Sequence, residues 1–147
     1  IVRRDAFLAA GGFHPRFGIG GEEELLALDL AARGGALAYV PELVAHHRPA
    51  AADDRPGRSA RQARNALWTA WLRAPAPLAA RRTAALVRDG APSALARALQ
   101  GAGWVGAERR AVPPALAQDV ARLWGVGSPP RPSRRGVPAS RSALRGA

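Results

Sequence analysis

The sequence contains no cysteine and no apolar run long enough to cross a membrane. Without cysteine the chain has no disulfide, no thiolate metal site and no cysteine nucleophile, which suits the cytoplasm. A membrane-spanning helix needs roughly 18–20 apolar residues, and the first residues lack the basic start, apolar run and cleavage site of a signal peptide. We therefore expect a cytoplasmic protein, with peripheral binding to the inner face of the cell membrane as a further location.

Lysine is also absent, and asparagine and isoleucine are scarce. All 22 basic residues are arginine, and Asn occurs once and Ile twice beside abundant Ala, Gly and Pro. This pattern indicates GC-rich coding, which raises the arginine content whatever the function. The charge is nevertheless uneven, because residues 1–49 carry five arginines and six acidic residues whereas residues 50–147 carry seventeen arginines and five acidic residues. That asymmetry predicts an anionic partner for the second part: nucleotide phosphate, phospholipid headgroups or nucleic acid.

The beginning of the chain predicts little regular structure. The sequence of 147 residues has the length of one modest domain, and because it starts on Ile1 instead of methionine we expect a piece of a longer protein. Ile1–Arg4 predicts the end of a strand. Asp5 predicts a cap for a short helical turn, which the glycine pair at 11–12 ends. Residues 13–21 hold too much glycine and proline for a regular element and predict an ordered loop.

The next segment predicts a helix and then a strand. Residues 22–33 begin with three glutamates, where the helix dipole favours anions, and continue with leucines. A glycine pair at 34–35 predicts the end of this helix. Residues 37–45 predict an extended segment, with Pro41 indicating an edge position or a bend.

The second part of the chain predicts helices between breaks of proline and glycine. A polar linker at 50–57 is followed by a helix at 58–73, whose leucines and tryptophans have helical spacing. Alanine-rich helices follow at 78–88, 93–100 and 114–124. The predicted organisation is a first domain at 1–73, a helical extension at 74–125 and a disordered Arg/Pro/Ser-rich tail at 126–147.

Three motifs follow one another near the start of the chain. They are Gly11-Gly12-Phe13, then Gly20-Gly21-Glu22-Glu23-Glu24, then Tyr39-Val40-Pro41-Glu42 with His46-His47. In this order and spacing they resemble the family 2 glycosyltransferases, inverting enzymes that use a nucleotide-sugar donor. The resemblance covers residues 1–73. It implies an α/β architecture, the C-terminal part of a GT-A (nucleotide-diphospho-sugar transferase) fold, followed by the helical extension and the basic tail.

The resemblance implies that Glu22 and Glu23 replace the acidic pair of that family, with Glu23 at the position of the catalytic base. Inverting transfer needs a base that removes the proton of the acceptor hydroxyl as its oxygen attacks the anomeric carbon. A carboxylate at a helix start behind a glycine-rich loop is held rigidly and can face a cleft. Glutamate is one methylene longer than the aspartate usual at this position, so Glu22 is the second candidate.

The leaving nucleoside diphosphate needs positive charge nearby. The resemblance places His46 at the strand-end histidine, a candidate ligand of a divalent cation, Mg²⁺ or Mn²⁺. Arg48, Arg61 and Arg64 are the alternative source of positive charge near the phosphates. The implied partners are a nucleotide-sugar donor and a hydroxyl acceptor: a glycan, a lipid-linked molecule or a small molecule.

The sequence departs from the family pattern in one large respect. The donor-binding half of such enzymes is a βαβ region with an Asp-x-Asp metal motif, which has no counterpart here. Asp53-Asp54 lies downstream in a linker and does not replace it. We therefore expect the chain alone to be inactive as a transferase.

Each candidate also has an ordinary structural interpretation. Glutamates in a first helical turn are often solvated residues that favour the helix dipole, and the histidines are often capping or surface residues. Asp29, at i, i+4 from Arg33, predicts a helix-surface ion pair. Trp68 and Trp71 predict core packing.

The competing class of protein is a non-enzymatic basic module. In that interpretation the helix at 58–73 rests on an anionic membrane surface through Trp68, Trp71 and Leu72, aided by the arginine-rich tail. Nonspecific nucleic-acid binding through the tail is a third candidate, and no specific nucleic-acid partner is expected.

Overall fold

The computed structural model describes residues 1–46, 57–89 and 92–126. Within these ranges the regular structure consists of seven helices and no strand. The helices are α1 (Arg4–Ala9), α2 (Glu22–Ala32), α3 (Arg58–Arg73), α4 (Ala76–Arg88), α5 (Pro92–Leu99), α6 (Ala102–Glu108) and α7 (Pro114–Leu123).

The predicted α/β, GT-A fold class is wrong, because the described residues form helices alone. The expected strand end at Ile1–Arg4 is an exposed segment that leads into α1. The expected strand at 37–45 is irregular and turns at Pro41-Glu42, and its Tyr39 is 92% exposed. A strand needs a neighbouring strand to pair its backbone groups, and neither segment finds one in the part of the chain that the structure describes.

The predicted helices at 22–33, 58–73, 78–88, 93–100 and 114–124 are present, with ends within two residues of the prediction. Asp5 does not cap α1: it lies inside the helix, and its carboxylate pairs with the side chain of Arg3 at 2.7 Å. The helix α6 was not predicted, because its glycines lower helix propensity. It forms where Trp104 and Val105 pack into the core.

The core is organised around α3, which packs against α2, α4, α5 and α6. Leu67, Trp68 and Leu72 of α3 meet Phe17 of the loop before α2 and Val105 of α6. A second cluster joins α2, α4 and α7; it contains Leu28, Ala74, Leu78, Ala79, Val112 and Val120.

The core interpretation of the tryptophans is confirmed. Trp68 is 6% exposed, Leu72 is fully buried, and Trp71 packs against both clusters. These are the residues that the membrane alternative assigns to a lipid-facing surface, and in this fold that surface is occupied by protein. In the three described ranges, no helix has the length and apolar character that crossing a membrane requires.

Several predictions concern residues that the structure does not describe. His47 and Arg48, the linker up to residue 56 and the predicted tail beyond Val126 lie outside the described residues.

Candidate functional site

Residues 14–21 form the loop before α2, which we call the glycine loop. Asn65 of α3 fixes this loop. The side-chain amide of Asn65 donates to the carbonyl oxygens of Phe17 at 3.0 Å and Gly20 at 2.6 Å. Asn65 is fully buried. Gly20 has φ +100°, and a Cβ there would lie 2.6 Å from Cγ of Gln62, so the loop approaches α3 as closely as glycine allows.

Arg64 completes this arrangement from the neighbouring position of α3. Its Nε and Nη2 donate to Oδ1 of Asn65 at 3.1 and 2.8 Å, and Nη2 also reaches the carbonyl oxygen of Phe17 at 3.4 Å. Its guanidinium lies 4.0 Å from the ring centroid of Trp68. The buried amide of Asn65 therefore has a partner for every donor and acceptor, which holds the glycine loop in one position.

The three glutamates that follow the glycine loop occupy three different environments. Glu23 is exposed. Glu22 is half-buried, and its Oε2 is enclosed without a hydrogen-bond partner among the described residues. Glu24 accepts a hydrogen bond from the indole N–H of Trp124 on the turn after α7. Glu24 is thus a structural residue and Glu23 is accessible to a substrate. Glu22 is less accessible than Glu23 and has no structural hydrogen bond of the kind that Glu24 makes.

The predicted cation ligand His46 is exposed at the end of the irregular segment after α2. Across the described ranges, no three His, Asp or Glu side chains come together as a metal-binding group. His46 therefore shares no ligand set with the other described residues, and the divalent cation stays a prediction. Arg61 is exposed on α3 beside Gly18.

Arg64 lines an open cavity of about 640 Å³ between the glycine loop, α3, α5 and α6; we call it the arginine cavity. Its lining is Arg16, Arg64, Trp68, Arg97, Gln100, Gly101 and Trp104. The sequence interpretation identified Arg64 and missed Arg16 and Arg97. Nothing in the spacing of these arginines signals their meeting, because they come from separate elements that only the packing of α5 and α6 on α3 brings together.

Two indole rings form the inner wall of the arginine cavity. Trp68 and Trp104 meet edge to face, with centroids 5.0 Å apart, and the N–H of Trp68 donates to the carbonyl oxygen of Ala98 at 2.9 Å. His14 stacks on Trp104 at 5.0 Å and lies 3.0 Å from a carboxylate oxygen of Glu108. His14 therefore fixes the ring of Trp104.

The guanidinium groups of this region repel one another. Burial lowers the pKa of Arg64 from its ordinary value, and the positive charges of Arg61 and Arg97 lower it further. The ion pairs found among the described residues involve other arginines. The local charge is therefore positive, and no described carboxylate lies within 4.0 Å of the guanidinium nitrogens of Arg16, Arg64 or Arg97.

The predicted ion pair between Asp29 and Arg33 is wrong. Asp29 is held instead by Arg73 of α3, whose Nη2 donates to Oδ2 of Asp29 at 3.0 Å while Nε donates to Oδ1. Arg33 forms the C-cap of α2, and among the described residues it forms no ion pair with Asp29. A two-bond guanidinium–carboxylate pair in a half-buried position has a more favourable interaction free energy than a solvated pair along one helix.

Comparison of the chain with protein-family models, with curated proteins and with solved structures finds no match in any of the three. A functional assignment therefore depends on the residues and contacts described above.

Proposed function

We propose that the chain carries the general base of an inverting glycosyltransferase that uses a nucleotide-sugar donor, and that Glu23 is this base. The single observation that supports the proposal most is the fixation of the glycine loop by Asn65, whose amide donates to Phe17 and Gly20. This contact sets the start of α2 and leaves the carboxylate of Glu23 exposed. A base must keep its position relative to the acceptor, because small misplacements of a catalytic group cost large factors in rate.

The proposed reaction moves one proton and exchanges one bond. The acceptor hydroxyl oxygen attacks the anomeric carbon, and Glu23 takes the hydroxyl proton in the same step. The bond between the anomeric carbon and the diphosphate oxygen breaks, its electron pair leaves with the nucleoside diphosphate, and the anomeric configuration inverts. Positive side chains such as Arg61 and Arg64 stabilise the charge that develops on the leaving group.

The test is a set of glutamate-to-glutamine variants of the protein at its natural length, assayed with a panel of nucleotide sugars. Glu23→Gln keeps the shape of the side chain and removes its basicity, so turnover should fall by about 10²–10⁴ while donor binding is retained. Glu24→Gln is the matched control, because it makes the same charge change in the same helical turn and keeps an acceptor oxygen for Trp124.

The outcome distinguishes the two candidate bases. An inactive Glu22→Gln beside an active Glu23→Gln would move the base to Glu22, whose Oε2 has no described partner. Normal turnover in both variants would contradict the proposal.

The divalent cation is tested separately, by titrating Mn²⁺ into the same protein in the presence of donor. If His46 binds the cation, His46→Ala should weaken metal-dependent donor binding more than His47→Ala does, because a metal ligand lost from a site typically lowers affinity sharply. Equal effects would leave His46 as a surface residue, which is how it lies in the described part of the chain.

A further inference from the structure

The arginine cavity collects positive charge without an acidic residue in its wall. Three of its lining residues are arginines from three elements: Arg16 of the glycine loop, Arg64 of α3 and Arg97 of α5. Among the described residues, none of the three forms an ion pair with a carboxylate. Like charges gathered in this way are destabilising unless an anion compensates them.

We propose that the arginine cavity is a binding site for the diphosphate group of a ligand. The guanidinium group presents N–H donors in a planar fork that fits phosphate oxygens. Arg16, Arg97 and the amide of Gln100 belong to exposed residues, so their donors are open to a ligand. A group with more than one negative charge matches three guanidiniums better than a single carboxylate does.

The tryptophan rings of the cavity pack against arginine side chains and so are not free to stack on a nucleobase. Arg64 lies over Trp68, which is 6% exposed. Arg16 lies 5.3 Å from the ring centroid of Trp104, against which His14 is also stacked. Cation–π contacts of this kind orient a guanidinium and leave its N–H edges for hydrogen bonds. The cavity is therefore a site for the phosphates of a ligand and contributes little to recognition of a base.

The volume of the cavity agrees with this ligand class. At about 640 Å³ it lies within the range of roughly 300–1,000 Å³ that is typical of small-molecule sites. That space accommodates a diphosphate together with part of the group attached to it. The identification of this diphosphate with the leaving group of sugar transfer rests on the proposed function, whereas diphosphate binding itself does not.

Titration calorimetry of the 147-residue chain with inorganic pyrophosphate, at near-physiological salt, tests the site. Arg16→Ala and Arg97→Ala should each weaken binding about tenfold, which corresponds to about 1.4 kcal/mol. Arg81→Ala is the matched control, because Arg81 is exposed on α4 outside the cavity and the variant loses the same charge. It should change the affinity by less than about twofold, since exposed charges at a distance are screened.

Uridine diphosphate and orthophosphate are the comparison ligands. Uridine diphosphate should bind about as tightly as pyrophosphate, and orthophosphate should bind more weakly. Equal losses in Arg97→Ala and Arg81→Ala would reduce the binding to general electrostatic attraction and overturn the proposal. A much tighter uridine diphosphate would show a nucleobase site and would also overturn it, as would the absence of pyrophosphate binding.

These experiments distinguish a failure of the diphosphate site from a failure of Glu23 as the base. Glu23→Gln should leave the pyrophosphate affinity unchanged, because Glu23 does not line the cavity. Loss of pyrophosphate binding with an essential Glu23 would remove the cavity site alone. Because Arg16 and Arg97 are exposed, their alanine variants should melt like the parent chain, which circular dichroism measures.

Discussion

The side-chain amide of Asn65 donates a hydrogen bond of 2.6 Å to the carbonyl oxygen of Gly20, 45 residues earlier in the chain. This bond joins the middle of α3 to the glycine pair at 20–21, which directly precedes α2. The neighbouring Arg64 extends the same network into the arginine cavity. The network of Asn65 and Arg64 therefore supports both proposed sites, and its loss should disturb both.

Replacement of Asn65 by alanine should destabilise the fold strongly. The carbonyl oxygens of Phe17 and Gly20 would lose their amide donor at a position where Asn65 is fully buried. Each unsatisfied buried polar group costs about 1–3 kcal/mol, so we expect a loss of roughly 2–5 kcal/mol in the free energy of unfolding. Urea denaturation measures this.

Gln118→Ala is the control for that change, because it removes a side-chain amide from an exposed position of α7. It should alter stability by less than about 0.5 kcal/mol. Similar stabilities of the two variants would mean that the Asn65 network carries no weight in the fold.

The sequence predicted helices far better than it predicted their assembly. Residues 58–73 and 22–33 carry apolar spacing, charged first turns or glycine stops that act locally, and these helices are present nearly as predicted. Residues 37–45 also carry an apolar pattern, but a strand depends on a partner elsewhere. The local pattern of a segment does not reveal whether such a partner exists, and among the described residues none is found.

The candidate site was predictable to a similar degree. Glu22, Glu23 and Arg64 stand out in the sequence because of motif order and charge. Arg97 does not, since its meeting with Arg64 depends on how α5 crosses α3. Asp29 shows the same limit, because its true partner lies 44 residues away on α3.

Substitution of Gly101 by alanine should destabilise the chain by overpacking. A Cβ at this position would come within 2.5 Å of the indole nitrogen of Trp104 and 2.8 Å of the ring of Trp68. Both rings are fixed by their neighbours, so the cost should be about 1–3 kcal/mol. Thermal denaturation of the variant should show a lower Tm and, because the rings must move, altered tryptophan fluorescence.

Gly106→Ala, inside the helix α6 that Gly101 caps, provides the opposite expectation. A Cβ there meets nothing within 4 Å, and alanine is a better helix former than glycine by roughly 0.5–1 kcal/mol. Its Tm should rise. A Gly101→Ala variant as stable as Gly106→Ala would show that the two indoles are not packed against this turn.

The pair formed by Asp29 and Arg73 should contribute measurably to stability. Its side chains are 22% and 13% exposed, and two bonds join the groups. Asp29→Asn leaves the half-buried guanidinium with a neutral partner, and we expect a loss of roughly 1–3 kcal/mol. Asp119→Asn breaks an exposed pair with Arg122 on α7 and should cost less than about 1 kcal/mol. Equal losses in urea denaturation would contradict this ranking.

Binding of the chain to anionic vesicles should be purely electrostatic. The net charge of +11 attracts phosphatidylserine surfaces, but the apolar residues of α3 that could enter a bilayer, Trp68 and Leu72, lie in the core. Co-sedimentation should therefore disappear between about 50 mM and about 500 mM NaCl, because salt screens exposed charges. Neutral vesicles should not bind, and tryptophan emission should not shift to the blue. Binding that persists at high salt with blue-shifted emission would mean that α3 leaves the core at the membrane, and the membrane module would then replace the transferase as the better functional proposal.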